Sequence, residues 1–163
     1  MLCTDEIYQT ISDGSGFFQH GHTYLAHPTA CAAGLAVVTA LLERNLVERC
    51  AVQGDKLMSA LQEQFEDHEF VGDIRGRGLF LGVELVRDRD TKQPFDSALG
   101  LNKKIKAAAF DAGLICYPMG GTLDGKSGDH VLLAPAFIIE DDQIAELVEK
   151  LSVAIDSSVD ELV

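Results

Sequence analysis

His20-Gly21-His22-Thr23-Tyr24-Leu25-Ala26-His27-Pro28 runs directly into Thr29-Ala30-Cys31-Ala32-Ala33-Gly34-Leu35-Ala36, and the change of character at Pro28 decides how the rest of the chain is read. Proline fixes its own φ and lacks an N–H, which suits the first helical turn, while the residue before it is pushed toward extended geometry. A polar loop ending at His27 and a helix starting at Pro28 follow. From Pro28 to Ala40 the only polar side chains are Thr29 and Thr39. A helix apolar on nearly every side is expected to be covered on most of its circumference.

Working outward, residues 1–27 hold a short helical piece at Asp5 to Ile11, a turn at Asp13-Gly14-Ser15-Gly16 and the apolar pair Phe17-Phe18. This is too little to bury itself, so Phe17, Phe18 and Tyr24 are expected to be partly exposed. The helix from Pro28 is predicted to run to about Arg49, and Gly54 to break it from a second amphipathic segment carrying Leu57, Leu61 and Phe65. Strands are predicted at Val71 to Arg75 and Leu79 to Val86, the latter with Leu79, Leu81, Val83 and Leu85 in alternation. A helix from Ser97 to Ala112 closed by Gly113, strands at Leu114 to Tyr117 and His130 to Leu133, and a helix from Asp141 to Ile155 complete the order. Hairpin strands with helices between them give an α+β (layered) fold, a small antiparallel sheet covered by helices on one face. Two parts are expected, 1–27 and 28–163.

A chain of 163 residues with 47% hydrophobic and 24% charged content has the make-up of an ordinary globular domain with a substantial core. Its formal net charge of −13 repels phosphate backbones and anionic lipids, so neither nucleic acid nor membrane is an expected partner. There is no long apolar run and no signal-like N-terminus, and a cytoplasmic location is the default expectation. Cys3, Cys31, Cys50 and Cys116 are scattered and read as reduced thiols.

Several motifs compete for attention. Gly120-Gly121-Thr122-Leu123-Asp124-Gly125-Lys126-Ser127 fits the phosphate-binding pattern G-x-x-x-x-G-K-S, but that chemistry needs a helix directly after the loop, and His130 to Leu133 reads as a strand. Gly72, Gly76, Gly78 and Gly82 miss the dinucleotide spacing and suit a bulged strand pair. His20, His22 and His27 have no cysteine or carboxylate in their loop to complete a site, so no metal is expected. His68 and His130 read as structural. Arg75 and Arg77 alternate onto one strand face and are candidates for gripping a substrate carboxylate or for plain surface charge.

Four stretches together carry a family resemblance: Asp5-Glu6-Ile7-Tyr8 with Asp13-Gly14-Ser15-Gly16, then Gly21-His22-Thr23-Tyr24-Leu25-Ala26-His27-Pro28, then Ile74-Arg75-Gly76-Arg77-Gly78-Leu79-Phe80, then Gly128-Asp129-His130-Val131-Leu132-Leu133-Ala134-Pro135. In this order the chain resembles the class III (omega-type) aminotransferases, which use pyridoxal 5'-phosphate. The resemblance implies the C-terminal domain of a fold-type I pyridoxal-phosphate enzyme preceded by a remnant of the large cofactor-binding domain, with residues 1–27 as that remnant and connecting loop. It implies that Thr23 reaches the cofactor phosphate across a homodimer interface, with His22 and Gly21 shaping the loop.

The family's covalent lysine and the acidic partner of the pyridine nitrogen precede the threonine loop, and no lysine stands between Met1 and Thr23. A C-terminal portion is therefore expected, with no residue here assigned a catalytic role. Transfer of an amino group from an amine or omega-amino acid to a 2-oxo acid is the implied reaction. The mobile arginine that some members carry before Gly-Asp-His is absent from Leu123 to Ser127, and Ala136 replaces a frequent proline. A non-catalytic binding or assembly module, and less readily a nucleotide-binding domain, stand as alternatives.

Overall fold

The computed structural model describes residues 3–162, which divide into two compact units, one ending at Thr39 and the other beginning at Ala40.

In the first unit, helix α1 (Asp5–Asp13) starts at Thr4, whose hydroxyl accepts the Ile7 N–H at 3.4 Å. A loop leads to α2 (Pro28–Glu43), which begins at the proline as the sequence predicts. Neither helix contains a buried residue. The expectation that α2 is covered is thus not met: Leu35 is 69% exposed and Val38 53%. An all-round apolar helix needs neighbours on every side, and α1 with one loop is too small a surface to supply them. Phe17, Phe18 and Tyr24 are exposed, as anticipated.

The second helix does not continue to Arg49. Asn45 turns left-handed at φ 49°, a conformation asparagine tolerates better than most residues, and α3 (Leu46–Phe65) starts immediately after it. Gly54, expected as the break, lies inside α3 instead. A Cβ there would sit 2.3 Å from the backbone of Gly78, so the missing side chain lets α3 lie directly on the turn between the first two strands.

Those strands, β1 (Val71–Arg77) and β2 (Phe80–Leu85), form a hairpin. A short 3-10 turn at Ser97–Leu99 and the left-handed Gly100 precede α4 (Leu101–Asp111), so the single helix predicted from Ser97 is divided. Gly113 at φ 78° ends α4 as predicted: its N–H reaches the Phe110 carbonyl and that of Leu114 the Ala109 carbonyl, the paired bonds of a left-handed helix stop. Strand β3 is Tyr117–Gly120, three residues beyond the predicted start, because Leu114 and Cys116 pack on the core before pairing begins. Strand β4 (Asp129–Leu133) and α5 (Asp141–Asp160) follow, α5 opening with reciprocal bonds between Glu140 and Gln143.

The sheet order is β1-β2-β4-β3, antiparallel throughout. Leu81, Val83 and Leu85 of β2 with Val131 and Leu133 of β4 form one apolar face. Leu57, Leu61 and Phe65 of α3, Leu101 and Ile105 of α4, and Leu151 and Ile155 of α5 join them in the same core. The other face carries Arg75, Phe80, Gly82, Glu84, His130, Leu132 and Tyr117, aligned by register: Arg75 opposite Gly82, Gly82 opposite Leu132, Leu132 opposite Tyr117. This is the helix-covered antiparallel sheet that the pattern predicted.

Candidate functional site

The loop before α2 is a turn over Thr23 to Ala26. The Tyr24 N–H donates to His22 Nδ1 at 3.2 Å, the Leu25 N–H to the His22 carbonyl at 3.1 Å, and the His27 N–H to the Tyr24 carbonyl at 3.2 Å. Ala26 is left-handed at φ 54°. At the helix start the Ala30 N–H donates to His27 Nδ1 at 3.4 Å and the Cys31 N–H to the His27 carbonyl at 3.0 Å. Thr23 is exposed, and among the described residues its hydroxyl makes no hydrogen bond. At Gly21 a Cβ would lie 3.4 Å from Leu25 Cδ1, the flexible end of an exposed side chain in the same turn.

These groups fit one side of a phosphate. Thr23 offers a free hydroxyl, and His22, with Nδ1 accepting, carries its proton on Nε2 when neutral and offers a second donor. They include no Lys or Arg, the first of the sequence being Arg44. The loop is therefore a hydrogen-bonding wall without a Lys or Arg of its own.

The two candidate arginines share the open sheet face as predicted. Arg75 Nη1 donates to Glu84 Oε2 at 2.6 Å and to Asp73 Oδ2 at 2.7 Å, and these two carboxylates push the guanidinium pKa above its usual value. Its charge is already engaged twice. Arg77, opposite Phe80, makes no ion pair among the described residues. Beside Arg75 a shallow cavity of about 230 Å³ opens over Gly82, walled by Glu84, Phe80, Leu132, His130 and Thr122. The His130 ring is tied by Nδ1 to the Thr122 hydroxyl at 2.7 Å, consistent with a structural histidine.

The phosphate-loop look-alike joins β3 to the strand β4, with no helix after it. Asp124 Oδ1 accepts the N–H groups of Lys126 at 2.8 Å and Ser127 at 2.6 Å, which holds its pKa below the carboxylate range. A carboxylate thus occupies amides that a polyphosphate would need.

Asp129 has a role that sequence reading missed. It is 6% exposed, and its Oδ1 accepts the Asn102 N–H at 3.2 Å in the first turn of α4, while burial pushes its pKa up. Helix α4 begins at Gly100, which has no side chain to cap with, so a carboxylate from β4 does it. No sequence signal marked it, because Asp96 and Ser97 offered a cap for a helix read as starting at Ser97. His68 is structural: Nδ1 accepts the Phe70 N–H at 3.1 Å, Nε2 lies 2.9 Å from Asp156, and the ring packs edge-on to Phe65 and Phe70. The four cysteines are free, and burial raises the pKa of the Cys116 thiol, keeping it protonated. Among the described residues no three His, Cys, Asp or Glu side chains gather as metal ligands, and no single helix is long and apolar enough to cross a membrane.

The sequence profile of the family Aminotransferase class-III matches residues 1–155, and the chain belongs to that family. Class III aminotransferases depend on pyridoxal phosphate. An uncharacterized aminotransferase of Schizosaccharomyces pombe is 49% identical over 145 residues, covering 89% of this chain and 31% of the relative. A leucine/methionine racemase of Thermococcus litoralis is 34% identical over 137 residues, covering 83% and 28%. The crystal structure of a transaminase from the marine bacterium Virgibacillus superposes with a TM-score of 0.87 at 34% identity, covering 98% of this chain and 35% of that one. The chain spans about a third of the length of these relatives.

Proposed function

We propose that this chain is the C-terminal part of a pyridoxal-phosphate-dependent transaminase that moves an amino group from an amine or omega-amino acid to a 2-oxo acid. Its partners in that reading are a large cofactor-binding domain that carries the lysine, and a second subunit of a homodimer in the cytoplasm. The observation that carries the proposal is the Thr23 turn: a free hydroxyl on a loop held by backbone and imidazole bonds, in a stretch without a single Lys or Arg. Such a wall is useful only where another surface brings positive charge to the same anion.

When bound, the cofactor serves as an electron sink for bond breaking next to the amino nitrogen. This chain's own part is binding and orientation. Thr23 donates its hydroxyl to the phosphate, His22 supplies Nε2–H beside it, and Gly21 adds no side chain beside them. Arg75, engaged by Asp73 and Glu84, lines the open-face cavity, and Arg77, without an ion pair among the described residues, is the freer cation for a substrate carboxylate.

The test is to co-express this chain with the portion of the Schizosaccharomyces pombe relative that it does not cover and measure cofactor retention and amino transfer. A hydrogen bond to a charged phosphate contributes about 1.5 to 3 kcal/mol, so Thr23→Ala is expected to weaken retention about ten- to a hundredfold, and Thr23→Ser to keep most of it. Failure of the two portions to associate would favour the other reading, a non-catalytic binding or assembly module.

A further inference from the structure

The Thr23 turn holds an unfavourable backbone between two imidazoles. Ala26, at φ 54°, sits where an L side chain gains nothing. Before it, His22 Nδ1 accepts the N–H of Tyr24, two residues on, at 3.2 Å; after it, His27 Nδ1 accepts the N–H of Ala30, the third residue of α2, at 3.4 Å. These are the bonds that an Asn or Asp side chain makes in an Asx turn and at a helix N-cap. Here histidine makes both. A nitrogen that accepts is bare, so each neutral ring carries its proton on Nε2. Neither ring bonds a carboxylate among the described residues, where these amides are their hydrogen-bond partners.

We propose that His22 and His27 are paired positioning residues of the Thr23 loop, each clamping one backbone amide with a bare Nδ1 so that the left-handed Ala26 turn persists and Thr23 keeps its hydroxyl free. His22 sets the turn. His27 fixes where α2 begins, and Pro28 at the first helical position completes that boundary. The two clamps bracket the unfavourable residue, so losing either lets the turn relax. A preset turn lowers the ordering cost of capturing an anion. The link to phosphate rests on the reading of Thr23 given above; the clamps themselves do not.

The test uses the ¹⁵N-labelled chain and amide hydrogen exchange, comparing His22→Phe with His22→Asn and His27→Phe with His27→Asn. Phenylalanine keeps a ring but has no acceptor, and asparagine keeps an acceptor at the right reach. Exchange is expected to accelerate about two- to tenfold at Tyr24 in His22→Phe and at Ala30 in His27→Phe, the span of one ordinary hydrogen bond, with the asparagine variants restoring most of the protection. Unchanged exchange at Leu57 and Ile105 confirms that the second unit stays folded. If phenylalanine and asparagine act alike at either position, whether both accelerate exchange or neither does, the clamp proposal is overturned. The phosphate reading fails separately, if Thr23→Ala leaves cofactor retention unaltered in the co-expressed enzyme while the exchange pattern stands.

Discussion

The first unit and the second are built from equally apolar sequence and end in opposite states. Helix α2 is the most apolar helix of the chain and buries no residue, whereas α3 and α5, more polar overall, bury six and nine. Apolar content did not decide burial; the arrangement of that content did. Helices α3 and α5 concentrate Leu57, Leu61 and Phe65, and Leu147, Leu151 and Ile155, in the same core as Leu81 and Val83 of β2 and Val131 of β4. In α2 the apolar residues go round the helix, and one side of packing would leave the others bare. The second unit therefore carries the stability measurable in this chain, and the first carries the surface and the candidate phosphate loop.

The largest expected effect tests this contrast directly. Ile105→Ala or Leu57→Ala, both fully buried, should destabilise the second unit by about 2–5 kcal/mol, read from denaturant unfolding followed by far-UV circular dichroism. Leu35→Ala in α2 should stay within about 0.5 kcal/mol. A loss at Leu35 comparable to that at Ile105 would mean that α2 is covered after all.

The two helical glycines sharpen the same contrast with opposite signs. Gly54→Ala would drive a Cβ into the Gly78 backbone, so a cost of about 1–3 kcal/mol is expected. Gly34 in α2 has nothing within 4 Å of such a Cβ, and Gly34→Ala should favour the helix by about 0.5–1 kcal/mol. Stabilisation in both would show that α3 does not lie on the hairpin turn.

A smaller effect lies at the start of α5. The Lys56 ammonium at 2.7 Å and the Gln53 amide at 3.0 Å hold the Asp141 pKa below its usual value. Because the unfolded chain binds a proton there more readily, the stabilisation is present above the ordinary carboxylate range and is lost as pH falls through the folded pKa. Asp141→Asn should flatten the acid limb of the second unit's stability curve by lowering its neutral plateau, with stability below the folded pKa little changed. An acid limb unaltered by the substitution would remove Asp141 from the account. The smallest expected change concerns the loop between β3 and β4: calorimetry with ATP and Mg²⁺ should register no binding in either the parent chain or Lys126→Ala, since Asp124 already holds the amides.

Local pattern was enough for the alternation of Leu79, Leu81, Val83 and Leu85, the start of α2 at Pro28 and the stop at Gly113, because each depends on residues within a few positions of one another. The same local logic placed Arg75 and Arg77 on one face. It could not show that Asp73 and Glu84 claim Arg75, because Glu84 reaches it only through the β1–β2 register. Nor could it place the helix break at Asn45 rather than Gly54. Glycine signals permission for an unusual backbone or a close approach, and only the position of Gly78 shows which is used.

The sequence by itself thus determined the order of elements, the class of the sheet, the family and the loop that bears Thr23, all of which follow from local pattern and motif spacing. The tertiary structure alone decided which apolar helix is buried, that Asp129 caps α4 from a neighbouring strand, and that Glu84 claims Arg75 across the hairpin. Burial and hydrogen-bond partners depend on where distant or merely bent segments meet, and no single stretch of sequence contains that information.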